Sequence, residues 1–144
     1  MANRAIHSMA ITDYGKQPIV FSAHRAALAN RNFRTAFWTG DYLQVTLMSI
    51  APGSEVGIEQ HKDTDQLLLI EDGIGWTMMG ESQTALGMQR TVRQGDAIMV
   101  PAGTWHNIKN AGKRPLKILS VYAPPHHPFG TVSPTKADAE KEEY

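Results

Sequence analysis

The chain has 144 residues, 42% hydrophobic and 19% charged, with 14 Lys plus Arg balanced by 14 Asp plus Glu. That length supports one globular domain with a core of its own, and a neutral chain has no electrostatic case for binding nucleic acid or an anionic membrane surface. The absence of cysteine removes disulfides, thiolate metal sites and cysteine nucleophiles together.

Met1–Asp13 carries Arg4 and His7 and has no long apolar run, so it does not read as a signal peptide. No stretch approaches the ~18 apolar residues of a membrane span. With cysteine absent as well, the expectation is a soluble, cytoplasmic protein. Ser22 caps a short predicted helix over 23–29, rich in Ala with Arg and Leu, and Asn30 ends it. From Phe33 onward the pattern changes to short apolar segments separated by turn residues. Strands are predicted at 33–39, 42–50, 55–61, 66–71, 75–79, 89–92, 97–100, 104–107 and 116–122, divided by turns such as Pro52-Gly53, Asp72-Gly73, Gln94-Gly95-Asp96 and Pro101-Ala102-Gly103. Close, even spacing of short strands argues an all-β barrel or sandwich rather than an α/β fold. After Tyr122, the run Pro124-Pro125-His126-His127-Pro128 predicts a stiff extended tail. The charged end from Ala137 is expected to be frayed or a short helix. The organisation is therefore an arm with a short helix (1–32), a barrel (33–123) and a Pro-rich, charged tail (124–144).

Without cysteine, a transition metal must be held by His, Asp, Glu or an amide oxygen. The six histidines are His7, His24, His61, His106, His126 and His127, and only His61 and His106 fall in predicted strands beside tight turns. Glu59 and His61 are two residues apart, which on a strand puts both side chains on one face. A second metal site at His126 and His127 is less expected than a solvated loop. His7 and His24 have no constellation around them. No phosphate loop, nucleotide fingerprint or Ser/His/Asp order is present.

The stretch Gly95–Asn110 resembles the second cupin motif, G(X)5PXG(X)2H(X)3N, at every fixed position: Gly95, Pro101, Gly103, His106 and Asn110. The stretch Gly53–Gly73 resembles the first cupin motif, G(X)5HXH(X)3–4E(X)6G, with two substitutions. Glu59 stands at the first histidine, His61 at the second, and Gln66 at the glutamate. A rival register pairing His61 with Asp63 misplaces both outer glycines, so Asp63 and Asp65 are read as turn residues.

The resemblance covers about Tyr42 to Tyr122. It implies a double-stranded β-helix (cupin or jelly-roll) barrel holding one divalent transition metal, with Glu59, His61, Gln66 and His106 as its ligands. The family's usual set is three imidazoles and one carboxylate. This chain keeps the same ligand charge by moving the carboxylate to Glu59. Two His, one carboxylate and an amide oxygen suit Fe, Mn, Ni or Zn. If Gln66 and His106 point inward, alternation places Leu68, Ile70, Thr104 and Ile108 on the inner faces, with Met48, Met78 and Met99 as further wall candidates and Trp105 facing outward. The function expected is a metal-dependent dioxygenase, isomerase or lyase acting on a small organic molecule, with a non-catalytic sugar- or carboxylic-acid-binding cupin as the alternative. No general acid or base beyond the ligands stands out. Small cupins often pair through strand exchange, so a homodimer is expected, with 33–39 as the candidate exchanging strand.

Overall fold

A computed structural model of the chain describes residues 9–142. Ser22 accepts a hydrogen bond from the Arg25 N–H at 3.2 Å and so starts helix α1 (Ala23–Ala29). The helix stops at Asn30, which adopts extended rather than left-handed backbone. The buried Asn30 side chain then turns the chain into the first strand, accepting from the Thr35 hydroxyl at 2.8 Å and donating to the Asn32 carbonyl at 2.9 Å.

Nine strands follow: β1 (Arg34–Thr39), β2 (Gln44–Ile50), β3 (Asp65–Asp72), β4 (Ile74–Gly80), β5 (Met88–Arg93), β6 (Ala97–Val100), β7 (Trp105–Asn110), β8 (Leu116–Ala123) and β9 (Val132–Ser133). They form a six-stranded sheet in the order β6-β3-β8-β2-β1-β9 and a three-stranded sheet in the order β5-β4-β7, antiparallel throughout. One core joins the inner faces: Met48, Ile50, Leu68, Ile70, Ile98, Val100 and Ile118 from the larger sheet meet Met79, Val92 and Ile108 from the smaller. The result is the two-sheet barrel expected from the sequence. A second apolar cluster lies on the outside of the larger sheet, where α1 and the arm preceding it pack Ala26, Ala27, Tyr14 and Phe21 over Phe37, Leu47 and Leu119.

Two details differ from the sequence reading. The predicted strand at 55–61 does not form as a strand. It runs beside β7 and pairs with it through two isolated bridges, Glu55 with Lys109 and Glu59 with His106, because Gly57 takes positive φ and breaks the extended run. Strand β9 was not foreseen and pairs with the start of β1, which also pairs with β2 along its length. The charged end takes the second of its two expected forms, a short helix α2 (Lys136–Lys141), opened by a capping box between Thr135 and Asp138. Among the described residues, no helix is long and apolar enough to cross a membrane.

Candidate metal centre

The turn before β7 aims its first residues. Thr104 N–H donates to the Pro101 carbonyl at 3.1 Å and Gly103 has φ +85°, the left-handed third position that a type II turn requires. The same glycine ties two parts of the site together. Its N–H donates to the His61 carbonyl at 2.8 Å, and its carbonyl accepts from the Gln60 amide at 2.9 Å. One step along β7, His106 and Glu59 exchange both backbone hydrogen bonds, each 2.9 Å. Residues paired in this way carry their side chains on one face. Asn110, the last fixed residue of the second motif, is structural: it donates to the Ile50 and Arg114 carbonyls, both at 2.9 Å, and accepts from Gly112 N–H at 2.8 Å.

Glu59, His61 and His106 converge, each offering one atom within 4.8 Å of the others. Glu59 Oε1 lies 3.4 Å from His61 Nε2 and 3.6 Å from His106 Nε2. These separations are long for N–H···O hydrogen bonds. They are close to the roughly 3 to 3.4 Å expected between two donors each about 2.1 Å from a common ion. The protonation of His106 is fixed from behind. Its Nδ1 faces the Thr104 carbonyl at 2.9 Å, and a carbonyl only accepts, so Nδ1 holds the proton and Nε2 of the neutral ring is bare. Both imidazole Nε2 atoms are buried without a hydrogen-bond partner. A bare His106 nitrogen facing a carboxylate oxygen repels it unless a cation lies between them, so the arrangement calls for an added proton or a metal ion. Burial pushes the Glu59 carboxyl up, but His106 and His61 outweigh it and hold the group well below the usual carboxylate range. Glu59 is thus held as an anion when a cation, a protonated imidazole or a metal ion, sits beside it.

Gln66 is buried at the start of β3 and donates from Nε2 to the Ser120 hydroxyl at 2.8 Å, which leaves its Oε1 as a buried acceptor with no partner. It lines the same interior space as Glu59 and His106. The structure therefore brings Glu59, His61 and His106 together and sets Gln66 beside them. Asp63 and Asp65 are exposed, but only Asp63 lies in the bend before β3: Asp65 opens the strand opposite Ala123 and accepts from the Ala102 N–H at 2.9 Å. Leu68, Ile70, Ile108 and Met48 are buried as expected. Thr104 is only partly buried, in the turn. Two expected wall residues fall elsewhere: Met99 is 64% exposed and Met78 alternates outward, leaving Met79 in the core. Residues two apart share a face, so Ile98 and Val100 hold the inward positions on β6 and Thr77 and Met79 hold them on β4.

The tail corrects a larger expectation, since the segment around His126 and His127 is not a solvated loop. The buried Gln44 accepts from the His126 and His127 N–H groups at 3.2 and 2.9 Å and donates to the His127 carbonyl at 2.8 Å. Held this way, the His126 ring sits 4.2 Å from the His61 ring and stacks on Tyr122. The His-His doublet was visible in the sequence, but nothing there linked it to Gln44, 82 residues away. Arg34, which reaches the same region from β1, carried no signal at all. His24 sits apart, paired with Glu71 at 3.1 Å, and His7 lies outside the described residues.

Access is one-sided. Beneath the cluster the barrel holds only about 10 Å³ of free space, lined by Met48, Leu68, Thr77, Ile98 and Val100. On the other side a cleft of about 260 Å³ opens, walled by Glu59, Gln60, Arg34 and His126, with Lys136 and Glu140 of α2 at its edge. Glu59 is open to a small molecule through this cleft.

Residues 46–122 match the family model described as the cupin domain. The uncharacterized protein YrkC of Bacillus subtilis is 53% identical over 132 residues, covering 92% of this chain and 71% of that one. The crystal structure of BH2720 from Bacillus halodurans has a TM-score of 0.90 at 51% identity, covering 91% of this chain and 99% of that one. An uncharacterized Klebsiella pneumoniae protein with a double-stranded β-helix domain has a TM-score of 0.62 at 19% identity, covering 81% of this chain and 98% of that one, a likeness of fold alone.

Proposed function

The chain belongs to the cupin domain family, and from that premise we propose that it is a metal-dependent enzyme acting on a small organic molecule, with one divalent Fe, Mn, Ni or Zn ion held by Glu59, His61 and His106. The observation that carries this reading is the bare Nε2 of His106 facing Glu59 Oε1 at 3.6 Å, with the partnerless His61 Nε2 at 3.4 Å on the same oxygen. Two neutral nitrogens and one anionic oxygen are a donor set for a borderline divalent ion. The buried Gln66 Oε1 is a fourth, weaker oxygen donor, steadied by Ser120. When bound, such an ion supplies Lewis-acid chemistry, or O2 chemistry in the case of iron.

The protein's own residues shape the rest. The packed floor under the site keeps water out from below. Thr104 holds the His106 tautomer, and Gly103 fixes the spacing between the two histidine segments. The tail roofs the site through Gln44 and brings His126 to the edge of the reacting space. A dioxygenase, isomerase or lyase reaction fits a substrate approaching from the cleft. Elemental analysis of the purified, reconstituted protein beside a His61→Ala/His106→Ala variant tests the reading. We expect about one metal per chain, lost in the variant while its circular dichroism is kept. Equal metal in both samples, or none in either after each candidate ion has been offered, overturns it.

A further inference from the structure

Arg34 opens strand β1 and is 8% exposed, yet no described carboxylate lies within ion-pair distance of its guanidinium. Buried arginines are almost always paired, because an uncompensated charge in the interior is costly. Its Nε has no hydrogen-bond partner. The guanidinium carbon lies 5.5 Å from the centre of the Phe33 ring, and the Tyr122 hydroxyl lies near it. Neither neighbour supplies a negative charge. The side chain lines the cleft of about 260 Å³ that Glu59 also lines.

Among the described residues, the anions around that cleft have other places. Glu59 belongs to the metal centre, with Oε1 3.4 and 3.6 Å from the Nε2 atoms of His61 and His106. Glu142 accepts from the Ser133 hydroxyl at 2.7 Å, and Glu140 is exposed at the rim. Lys136 adds a second cation at the edge. Arg34 is therefore a buried cation that no described carboxylate pairs, beside the centre where chemistry is proposed.

We propose that this cleft is a carboxylate subsite: Arg34 anchors the carboxylate of a small organic acid and directs the remainder of that molecule toward Glu59 and the histidine pair. A guanidinium presents a planar fork of donors that matches a carboxylate edge-on, and binding would give Arg34 the negative partner it lacks among the described residues. The space is below the roughly 300–1,000 Å³ of pockets that take drug-sized ligands, which favours a small acid. The inference names a substrate class for the reaction proposed above and rests on that reading for the chemistry, though not for the anchor.

The test uses metal-free full-length protein, so that a metal cannot supply the carboxylate preference. Benzoate, benzamide and inorganic phosphate are titrated by calorimetry, and the Arg34 Nε–H resonance is followed by ¹⁵N NMR. We expect benzoate to bind about tenfold or more tighter than benzamide and to shift the Arg34 Nε–H signal. Arg34→Met should abolish the preference and Arg34→Lys should keep part of it. Equal binding of benzoate and benzamide, tighter binding of phosphate than of benzoate, or an unmoved Arg34 signal overturns the proposal. The wild-type contrast and the resonance decide the matter even if Arg34→Met fails to fold. Metal content is measured on a separate reconstituted sample. Benzoate preference without metal sinks only the metal reading, and one metal per chain without benzoate preference sinks only this one.

Discussion

Glu59 and His106 face each other as a paired couple, exchanging both backbone hydrogen bonds at 2.9 Å and bringing Oε1 to 3.6 Å from Nε2. Their side-chain meeting is set by the backbone ladder and does not depend on a flexible linker. Glu59→Gln keeps the shape and removes the charge, so it tests the carboxylate as a ligand. The ligand set becomes neutral, and metal affinity should fall by about a hundredfold or more, since even changes behind a ligand cost about 10–100-fold. Competition with a chromophoric chelator reads the change. Unaltered affinity would remove Glu59 from the ligand set.

Gln66→Glu puts a carboxylate where the first cupin motif has one. Ser120 can donate to the new carboxylate through its hydroxyl, so the side chain keeps an anchor. A second anion in the centre should tighten divalent binding by about tenfold or more and should lower the stability of the metal-free protein, because a buried carboxylate without a cation is costly. Chelator competition and denaturant melts with and without metal check both effects. Tighter binding with no penalty in the metal-free state would mean that Gln66 is better hydrated than its 3% exposure implies.

The fold was legible because its punctuation is local. Pro101, Gly103 and Asn110 sit at turns or caps where their chemistry is needed within a few residues, and inner positions such as Leu68, Ile70 and Ile108 obey a period of two. Glu59, His61 and His106 were legible through fixed spacing within two short stretches. What escaped depends on distant partners. The stretch containing Glu59 is held by bridges to β7 rather than by its own β propensity. His126 depends on Gln44, and Arg34 gains meaning only when the tail and α2 close around it. No periodicity or motif encodes such long-range meetings.

Gly103→Ala isolates the turn that ties the two histidine segments. An added Cβ would meet nothing within 4 Å, so the cost is the backbone strain of φ +85° alone. A stability loss of about 1–2 kcal/mol is expected in denaturant unfolding of the metal-free protein. Relaxation of that strain would loosen the Gly103 N–H bond to the His61 carbonyl, now 2.8 Å. Metal affinity should therefore fall severalfold as well. Loss of stability with affinity intact would show that the turn sets the fold but not the spacing of the site.

His127 gives the tail a pH dependence whose sign follows from its burial. The imidazole is 8% exposed, and burial, then Arg34 and His126, push its pKa from 6.5 down to about 3, with His61 acting the same way and Glu59 opposing. The folded state therefore resists a proton that the unfolded chain accepts. Above pH 6.5 the group costs nothing; as pH falls from 6.5 toward about 3 the unfolded chain gains protons first and stability declines, levelling below about 3. The slope from one such group reaches at most about 1.4 kcal/mol per pH unit. His126, lowered in the same direction by burial and by His61, adds to it. Denaturant unfolding of the metal-free protein across this window should show the decline, and His127→Phe, which keeps a ring and removes the proton site, should flatten it by about one proton's worth. An unchanged slope in that variant would mean that the tail opens to solvent before it titrates.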